Sequence, residues 1–264
     1  MTVVQEACHE ALVIDQFSRQ AAPLSKTSGA HDDAIGRLLS ATQVNASDIV
    51  LDVACGTGQV ALAFAAVAKQ VTGVDLTPAM IERARSLQRE MDVANVRWMV
   101  GDVNCLPFED AAFSVVTCRY AFHHMLDPAG VAAEMTRVCA PGGVVALVDV
   151  VTTPDNASAY DRMEWLRDPS HVRALTLEEL VGLTKANGLK RVRCEFYRFD
   201  VELEALLQAS FPAPRDEAKV RDLVVRDLGR NELGVGVSRR GAEFLLSYPI
   251  ALIVGEVPDQ ATKN

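Results

Sequence analysis

The sequence predicts an α/β protein with a doubly wound, mostly parallel sheet of seven strands, and with N-terminal and inserted helices that form a lid. One observation carries this prediction. Short apolar runs alternate with amphipathic segments over the first 150 residues, and this alternation is typical of parallel sheets covered by helices on both faces. The connections between the parallel strands are expected to be right-handed.

Seven segments have the length and apolar character of strands. The fifth is almost entirely apolar, as expected for a strand buried on both faces. The seventh contains Pro249, which should bend the strand or place it near a sheet edge because proline cannot donate a ladder hydrogen bond. The predicted strands are Ile49–Ala54, Gln70–Asp75, Asn95–Val100, Phe113–Cys118, Gly143–Val151, Arg191–Val201 and Phe244–Val257.

Helical spacing of apolar residues predicts the remaining elements. Pro78 stands at the start of one helix, where a proline is tolerated, and Gly188 is placed to end another. Pro212 and Pro214 should interrupt the last helical stretch. The predicted helical segments are Ala7–Phe17, Asp32–Thr42, Gln59–Ala68, Pro78–Met91, Pro128–Val138, Asn156–Arg167, Leu177–Ala186 and Glu202–Arg230.

Composition narrows the classes of partner. The formal net charge is −9, which disfavours general binding to nucleic acid or anionic lipid. No run reaches the length of a membrane span, and the N-terminus lacks a basic start followed by an apolar stretch. The six scattered cysteines form no CxxC pair, so we expect buried, reduced thiols, no metal site and a cytoplasmic protein.

The most informative segment is VLDVACGTG at 50–58, where a strand passes through two glycines into a helix. Gly56 and Gly58 can adopt backbone angles closed to other residues, and they leave room for a ligand. The start of the helix presents unpaired N–H groups that suit a carboxylate or a phosphate. The spacing also fits a dinucleotide fingerprint, and a tight turn without a ligand is a further alternative.

Three acids at neighbouring strand ends separate these alternatives. Asp52 lies just before the glycines, where it would repel a pyrophosphate but attract an ammonium group. Asp75 ends the second strand, where a carboxylate can accept hydrogen bonds from both ribose hydroxyls. Asp102 follows the third strand, where its carboxylate can accept a hydrogen bond from the amino group of adenine. Val103 is the adjacent residue and can add a backbone or apolar contact. The carboxyl ends of parallel strands share one crevice, so the three acids should line one site.

Four motifs appear in order and spacing over residues 48–152: VLDVACGTG, VTGVDLTPAMIERAR, VRWMVGDVNCLPFEDAAFSVV and APGGVVALVDVV. Together they resemble class I S-adenosylmethionine-dependent methyltransferases, in the branch related to the ubiquinone and menaquinone C-methyltransferases. The resemblance implies a Rossmann-like sheet whose last strand is antiparallel. It divides one domain into an N-terminal helical cap (1–46), a cofactor-binding core (47–152) and substrate lid helices with closing strands (153–264).

The resemblance also implies which residues contact S-adenosylmethionine and leave S-adenosylhomocysteine as the product. By this resemblance, the methionine part is contacted by Asp52, Ala54, Gly56 and Gly58, and Arg119 lies beside its end. The ribose is contacted by Asp75, and the adenine by Leu76, Met80, Asp102 and Val103.

An N-terminal segment, Asp15–Ala22, resembles the part of such proteins that packs over the cofactor, and it brings Phe17 towards the substrate. Many relatives have a tyrosine shortly after this segment. This sequence has Leu24 or Ser25 there, so that tyrosine has no counterpart.

The loop after the fourth strand, Arg119–Met125, should open over the methyl group. His123 and His124 titrate near neutral pH and are candidate general bases. Tyr120 or Phe122 could face a sulfonium through its ring. The alternative is that one histidine packs on the helix while the other faces solvent.

A second cluster follows the inserted helix. His171 could act as a base and Arg173 could hold an anionic group of the acceptor. The alternative is local hydrogen bonding in the turn, with Arg173 paired to Glu178 or Glu179.

Three functions are compatible with these residues. A methyltransferase acting on a small molecule is favoured, because no nucleic-acid-binding module is present and the chain outside the core suffices for a lid. A nicotinamide-dependent oxidoreductase is disfavoured by Asp52 and Asp102. A non-catalytic protein that retains the cofactor pocket is the third. The protein should be a monomer or a homodimer, and the acceptor atom stays open between carbon, oxygen and nitrogen.

Overall fold

The structure is a computed structural model that describes residues 3–24 and 30–259. Ser25, one of the two residues standing where relatives have a tyrosine, lies outside these ranges. The strands are β1 (Ile49–Val53), β2 (Gln70–Asp75), β3 (Val96–Val100), β4 (Phe113–Arg119), β5 (Cys139–Thr152), β6 (Leu175–Thr176), β7 (Lys190–Glu202), β8 (Ser238–Arg240) and β9 (Glu243–Glu256).

Nine α-helices and one short 3₁₀ helix fall within the described ranges. The helices are α1 (Val3–Leu24), α2 (Ala30–Thr42), α3 (Gln59–Ala65), α4 (Pro78–Glu90), α5 (Pro128–Val138), α6 (Ala157–Arg167), α7 (Leu177–Ala186), α8 (Leu203–Ser210) and α9 (Pro214–Asp227), and the 3₁₀ helix is Phe122–His124.

The main path of the sheet has seven strands in the order β3-β2-β1-β4-β5-β9-β7. The neighbours from β3 to β5 pair in parallel, whereas β9 runs antiparallel to both β5 and β7. The predicted fold class and its antiparallel last strand are therefore confirmed. The expected strand count is corrected by β6 and β8, which join this sheet at its margins. Two or three residues are too few for a period-2 pattern to reveal.

Both faces of the sheet are buried along its central strands, as the apolar runs predict, whereas the end strands β3 and β7 are largely exposed. In β1, Val50 belongs to one core cluster and its neighbour Leu51 to the other, because successive side chains of a strand point to opposite faces. On the first face α3 contributes Phe64, and on the second face α5 contributes Met135. The two helix layers hold the strand ends rigidly, which fixes the crevice at the carboxyl edge.

Pro249 lies inside β9, opposite Arg198 of β7. The pairing of β9 with β5 stops one residue away, at Ile250. At this position β9 therefore has a partner strand on one side only, the local edge that a proline requires.

The helices outside the core match their predicted positions, with α1 and α2 at the N-terminus and α8 and α9 separated by Pro212. The expectation that the cysteines are buried is correct for three of the six and wrong for the other three. Cys55, Cys118 and Cys139 are buried free thiols, whereas Cys8, Cys105 and Cys194 are exposed.

Two kinds of feature are absent from the described ranges. In residues 3–24 and 30–259, no helix combines the length and apolar character needed to cross a bilayer. In the same ranges no three histidine, cysteine, aspartate or glutamate side chains are grouped so that they could hold a metal ion.

Candidate active site

The loop between β1 and α3 takes a tightly curled path. Ala54, Gly56 and Gly58 all have positive φ angles, of 54°, 53° and 83°. For Ala54 this conformation costs about 1–3 kcal/mol, a strain that clusters at functional sites. The backbone holds the curl, because Cys55 N–H donates to the Val74 carbonyl at 3.0 Å and Gly58 N–H donates to the Cys55 carbonyl at 2.9 Å.

The two loop glycines have different reasons to be glycine. A Cβ on Gly56 would meet nothing within 4 Å, whereas a Cβ on Gly58 would lie 2.3 Å from Cη2 of Trp98. The Trp98 indole is held in place, because its Nε1–H donates to Oε1 of Gln88 at 2.6 Å. Gly56 thus leaves space open, as predicted, but the space beside Gly58 is filled by Trp98.

Asp52 belongs to β1, and its buried carboxyl lies against the first turn of α3. It is 1% exposed and accepts the N–H of Ala61 at 3.1 Å. Burial raises the pKa of Asp52 to about 8; the charge of Arg119 and the Ala61 hydrogen bond oppose this rise, and the negative charge of Asp75 adds to it. A cation bound beside Asp52 would stabilise the ionised carboxylate, so the site suits an ammonium group.

Asp75 joins two loops. Its Oδ2 accepts the N–H of Gly56 at 2.8 Å, and its Oδ1 accepts the N–H of Thr77 at 2.8 Å. Burial raises the pKa of Asp75, and these backbone hydrogen bonds offset part of that rise. Each carboxylate oxygen accepts more than one hydrogen bond, so Asp75 retains capacity for a diol.

The third acid, Asp102, lies further along the same edge of the sheet. Its Oδ1 accepts the backbone N–H of Asn104 at 2.9 Å and the side-chain amide of Asn104 at 2.8 Å. This local turn orients the carboxylate next to Val103. Leu76 and Met80 supply apolar surface on the side of α4.

A cavity of about 650 Å³ lies over the carboxyl ends of β1, β2, β4 and β5. Most predicted site residues line it, although they come from five separate segments of the chain. The predicted residues in the lining are Phe17, Asp52, Ala54, Gly56, Asp75, Leu76, Met80, Asp102, Val103, Arg119, Tyr120, His123 and His124. Gly58, Phe122, His171 and Arg173 are not part of the lining.

Phe122 is a correction to the predicted substrate residues. Its side chain is 1% exposed and belongs to the core cluster on the second face of the sheet. Consecutive residues of a 3₁₀ helix point in three directions. The helix therefore turns Phe122 into the core while the next two residues, His123 and His124, face the cavity.

The second predicted cluster is also placed away from the cavity. His171 is fully buried, with Nε2 2.8 Å from Oδ1 of Asp161. Arg173 is exposed and pairs with Glu179 at 2.9 Å. Glu179 also completes a capping box with Thr176 at the start of α7. The structure thus contains the local pairing given as the alternative for Arg173, and Arg173 does not line the cavity.

His123 is held by an acid. Its Nδ1 lies 2.6 Å from Oδ1 of Asp149, which also accepts the N–H of Val150 at 2.7 Å. The Nδ1–H donates to the carboxylate, so the lone pair of the ring is on Nε2. Burial lowers the pKa of His123. The charge and hydrogen bond of Asp149, together with the charge of Glu164, raise this pKa by more than burial lowers it, so the net shift is upward.

His124 is a poorer base than His123. Burial first, and the neighbouring His123 second, lower the pKa of His124 well below its usual value. Its Nδ1 is 3.0 Å from the carbonyl oxygen of Ser170, and its ring meets Phe17 edge-on at 5.0 Å. These contacts favour a role in shaping the wall.

The sequence analysis assigns no role to Asp149, because no sequence motif links Asp149 to His123. A signal existed, since Asp149 is the one charged residue in the sequence of β5. An acid in an otherwise apolar, doubly buried strand requires a partner. The sequence does not reveal that the partner lies 26 residues away.

A polar wall faces the glycine loop across the cavity. Glu164 accepts hydrogen bonds from Nε of Arg167 at 2.8 Å and from the hydroxyl of Tyr248 at 3.0 Å. Nη1 of Arg167 donates to Oγ of Ser210 at 2.7 Å. No predicted site residue belongs to this wall, because its members come from α6, α8 and β9 and share no motif.

Helix α1 closes the remaining side of the cavity. Gln20 donates to Oδ2 of Asp168 at 3.1 Å, and Nε2 of His9 lies 2.7 Å from the His124 carbonyl oxygen. Val13 and Phe17 lie on the same helical face and also line the cavity. The predicted cap therefore forms one wall of the site.

A sheet with one antiparallel strand, a glycine loop before α3 and acids at successive strand ends define the Rossmann-like methyltransferase class. The family model for the methyltransferase domain matches residues 51–147. The uncharacterized methyltransferase YcgJ of Bacillus subtilis is 30% identical over 230 residues, which cover 86% of this chain and 91% of that protein. The crystal structure of YcgJ is similar to this structure, with a TM-score of 0.80 and 28% sequence identity. The match covers 87% of this chain and 100% of the YcgJ chain.

A demethylmenaquinone methyltransferase of Deinococcus radiodurans is 39% identical over 102 residues, which cover 38% of this chain and 42% of that protein. The chain belongs to the class I S-adenosylmethionine-dependent methyltransferases and is related to the quinone methyltransferases. Its cofactor is S-adenosylmethionine. The nicotinamide-dependent and non-catalytic alternatives are thereby set aside in favour of methyl transfer.

Proposed function

We propose that this enzyme methylates a small molecule at an atom that carries a proton, with His123 as the general base. The observation that carries the proposal is the His123–Asp149 pair in the wall of the cavity. The His123 side chain is 13% exposed, and Nδ1 is committed to Asp149. Among the described residues Nε2 has no hydrogen-bond partner, so it is available to an acceptor.

The cofactor would lie along the strand ends. Asp52 would hold its ammonium group, while the start of α3 beside Gly56 and the guanidinium of Arg119 would hold its carboxylate. Asp75 would accept the ribose hydroxyls. Bound there, S-adenosylmethionine would supply an electrophilic methyl group. The remaining contacts, to the adenine, are assigned to Leu76, Met80, Asp102 and Val103.

Gly58 has a supporting role in this arrangement. Because Trp98 occupies the space beside it, Gly58 would shape the loop through packing and would not touch the ligand with its α-carbon. Tyr120 has a positive φ angle of 58° and its ring lies 4.2 Å from the guanidinium carbon of Arg119. It would separate the cofactor from the acceptor.

His123 would take the proton of the acceptor on Nε2 as the acceptor atom forms its bond to carbon. Asp149 would stabilise the resulting imidazolium and keep the ring in one orientation, as carboxylates do for catalytic histidines. His124 would complete the wall next to Phe17. His171 would act at a distance, by supporting α6 through Asp161.

The cavity also bears on the class of acceptor. The α1 wall and the polar wall enclose it, which suits a small molecule better than a polymer. The relative from Deinococcus radiodurans is named for demethylmenaquinone, a small molecule. We further propose that the enzyme is cytoplasmic, binds no nucleic acid, and is a monomer or a homodimer.

The proposal is tested with labelled cofactor. The purified enzyme would be incubated with methyl-labelled S-adenosylmethionine and a protein-free extract of bacterial cells. We expect the label to pass into a low-mass organic product. A parallel reaction would contain total cellular RNA and protein in place of the extract. An enzyme that binds the cofactor, labels no low-mass compound in the extract and labels RNA or protein in the parallel reaction would refute the proposed class of acceptor.

A second prediction concerns the ribose site. In Asp75→Asn, an amide N–H₂ would replace one acceptor oxygen opposite the backbone N–H donors of Gly56 and Thr77. We expect affinity for S-adenosylmethionine to fall about 10- to 100-fold, since a hydrogen bond to a charged group contributes about 1.5–3 kcal/mol. Titration calorimetry measures the change.

The matched control for this variant is Asp92→Asn. Asp92 is exposed in a turn with a φ angle of 53°, a conformation that asparagine tolerates well. Its affinity should equal that of the unmodified enzyme. Full affinity in Asp75→Asn would show that the ribose site is assigned wrongly.

A further inference from the structure

The end of the cavity next to the polar wall is unusually acidic. We call this region the acceptor end and define it by Asp149, Tyr160, Glu164, Arg167 and Asp168, all of which line the cavity. Three of the five are carboxylic acids and one is basic. At the mouth, Glu6 and Glu10 of α1 add two more acids to the lining.

The basic residue of the acceptor end is already neutralised. Arg167 donates through Nε and Nη2 to the Glu164 carboxylate and through Nη1 to Ser210. Asp168 adds a second negative charge beside it. Burial raises the pKa of Asp168, but the interaction with His124, the charge of Arg167 and the hydrogen bonds of Ser170 lower this pKa by more, so the carboxylate is ionised at neutral pH.

Tyr160 supplies a different kind of group. The residue is 4% exposed, and within residues 3–24 and 30–259 its hydroxyl has no hydrogen-bond partner. Tyr160 lines the cavity, so a molecule bound there is the natural partner for its hydroxyl. Burial first, and Glu164 and Tyr248 next, raise the pKa of Tyr160 well above its usual value, which keeps the hydroxyl protonated at neutral pH.

We infer that the acceptor end selects an uncharged or cationic acceptor, anchors its polar group on the Tyr160 hydroxyl, and excludes carboxylates and phosphates. An anion bound there would approach the carboxylates of Asp149 and Asp168, and it would have to compete with Glu164 for Arg167. Repulsion between neighbouring like charges in a poorly solvated site costs several kcal/mol of binding free energy. This inference rests on the proposed function, because it assumes that the acceptor occupies this end.

The test uses three probes of one shape and different charge: 2-naphthol, 2-naphthoate and 2-naphthylmethylammonium. Their aromatic bodies match the apolar lining supplied by Phe17, Phe199 and Ile250. Each would be titrated into the enzyme loaded with S-adenosylhomocysteine and followed by NMR. We expect the naphthol and the ammonium probe to bind at least about tenfold more tightly than the naphthoate, a difference of about 1.4 kcal/mol.

Two variants identify the groups responsible. Glu164→Gln releases Arg167 from its carboxylate and should raise naphthoate affinity about tenfold. Tyr160→Phe should lower naphthol affinity about fivefold or more. The control is Asp92→Asn, because Asp92 is exposed in a turn and does not line the cavity; naphthol affinity should be unchanged.

Each outcome decides the inference. Naphthoate binding to the unmodified enzyme as tightly as the other probes, or more tightly, would identify Arg167 as an anion site and overturn the inference. Absence of binding by all three probes would also overturn the inference. Retained S-adenosylhomocysteine affinity in each variant shows that the fold is intact. Failure of the charge preference with intact cofactor binding would remove this inference alone, whereas loss of cofactor binding by the unmodified enzyme would remove the proposed function.

Discussion

Replacing His123 by glutamine is expected to lower turnover about 10²- to 10⁴-fold while leaving the affinity for S-adenosylmethionine unchanged. The amide retains a polar group of similar length but cannot take a proton from the acceptor. The cofactor should bind normally, because His123 is not among the residues assigned to it, and all of these except Arg119 lie on other segments. Turnover would be measured with the acceptor isolated from the labelled extract, and affinity by titration calorimetry.

The neighbouring histidines provide controls for this variant. His124→Gln should reduce turnover much less, since burial keeps the pKa of His124 far below neutrality. His171→Gln should act chiefly on stability, because His171 is fully buried against Asp161. If His124→Gln or His171→Gln lost more turnover than His123→Gln at equal stability, another residue would be the base.

Asp149 adds a pH dependence to the same prediction. His123 acts only when neutral, so turnover should rise with pH through the pKa of His123, which the net effect of Asp149 and Glu164 raises above the usual value. In Asp149→Asn the raising charge is gone and burial still lowers the pKa. The acidic limb of the pH profile should therefore move to lower pH while the plateau falls. A limb that stays in place would show that another group titrates.

Gly58→Ala is expected to destabilise the protein by about 2–4 kcal/mol, through overpacking and a strained left-handed backbone. The new Cβ would lie 2.3 Å from Cη2 of Trp98 and 2.8 Å from Cζ3, at a φ angle of 83°. The Trp98 ring cannot retreat freely because its Nε1–H is bound to Gln88. Urea denaturation measures the change in the free energy of unfolding.

Gly56→Ala is the matched variant with the opposite expectation. Its Cβ meets no protein atom within 4 Å, so stability should fall only by the backbone term of about 1–2 kcal/mol. Because Gly56 lines the cavity, the same Cβ should lower S-adenosylmethionine affinity about tenfold or more. Equal effects of the two variants on stability would contradict the different roles assigned to these glycines.

The clash with Trp98 can be tested separately from the backbone strain. Trp98→Leu removes the ring that the new Cβ would strike, at the expense of packing. The double variant Gly58→Ala/Trp98→Leu should therefore be more stable than the sum of the two single effects. Additive effects would mean that φ strain alone accounts for the cost of alanine at position 58.

The sequence predicted the fold and most of the residues that line the cavity, because both depend on local patterns. A strand has a period of two and a helix a period of 3.6, so the elements and their buried faces follow from the order of apolar residues. Asp52, Asp75 and Asp102 each end or follow a parallel strand, and the carboxyl ends of such strands meet at one edge whatever the details of packing. These residues accordingly line one cavity.

The catalytic assignments depended on contacts that no local pattern contains. The sequence offered His123, His124 and His171 as equivalent candidates; the tertiary structure gave His123 an acid, turned Phe122 inward and paired Arg173 with Glu179 outside the cavity. Gly56 and Gly58 belong to one motif, yet only the position of Trp98, forty residues later, distinguishes them. The polar wall likewise arises where α6 and β9 meet. Periodicity determines which face a residue occupies, whereas the partner across that face is decided by how distant segments pack.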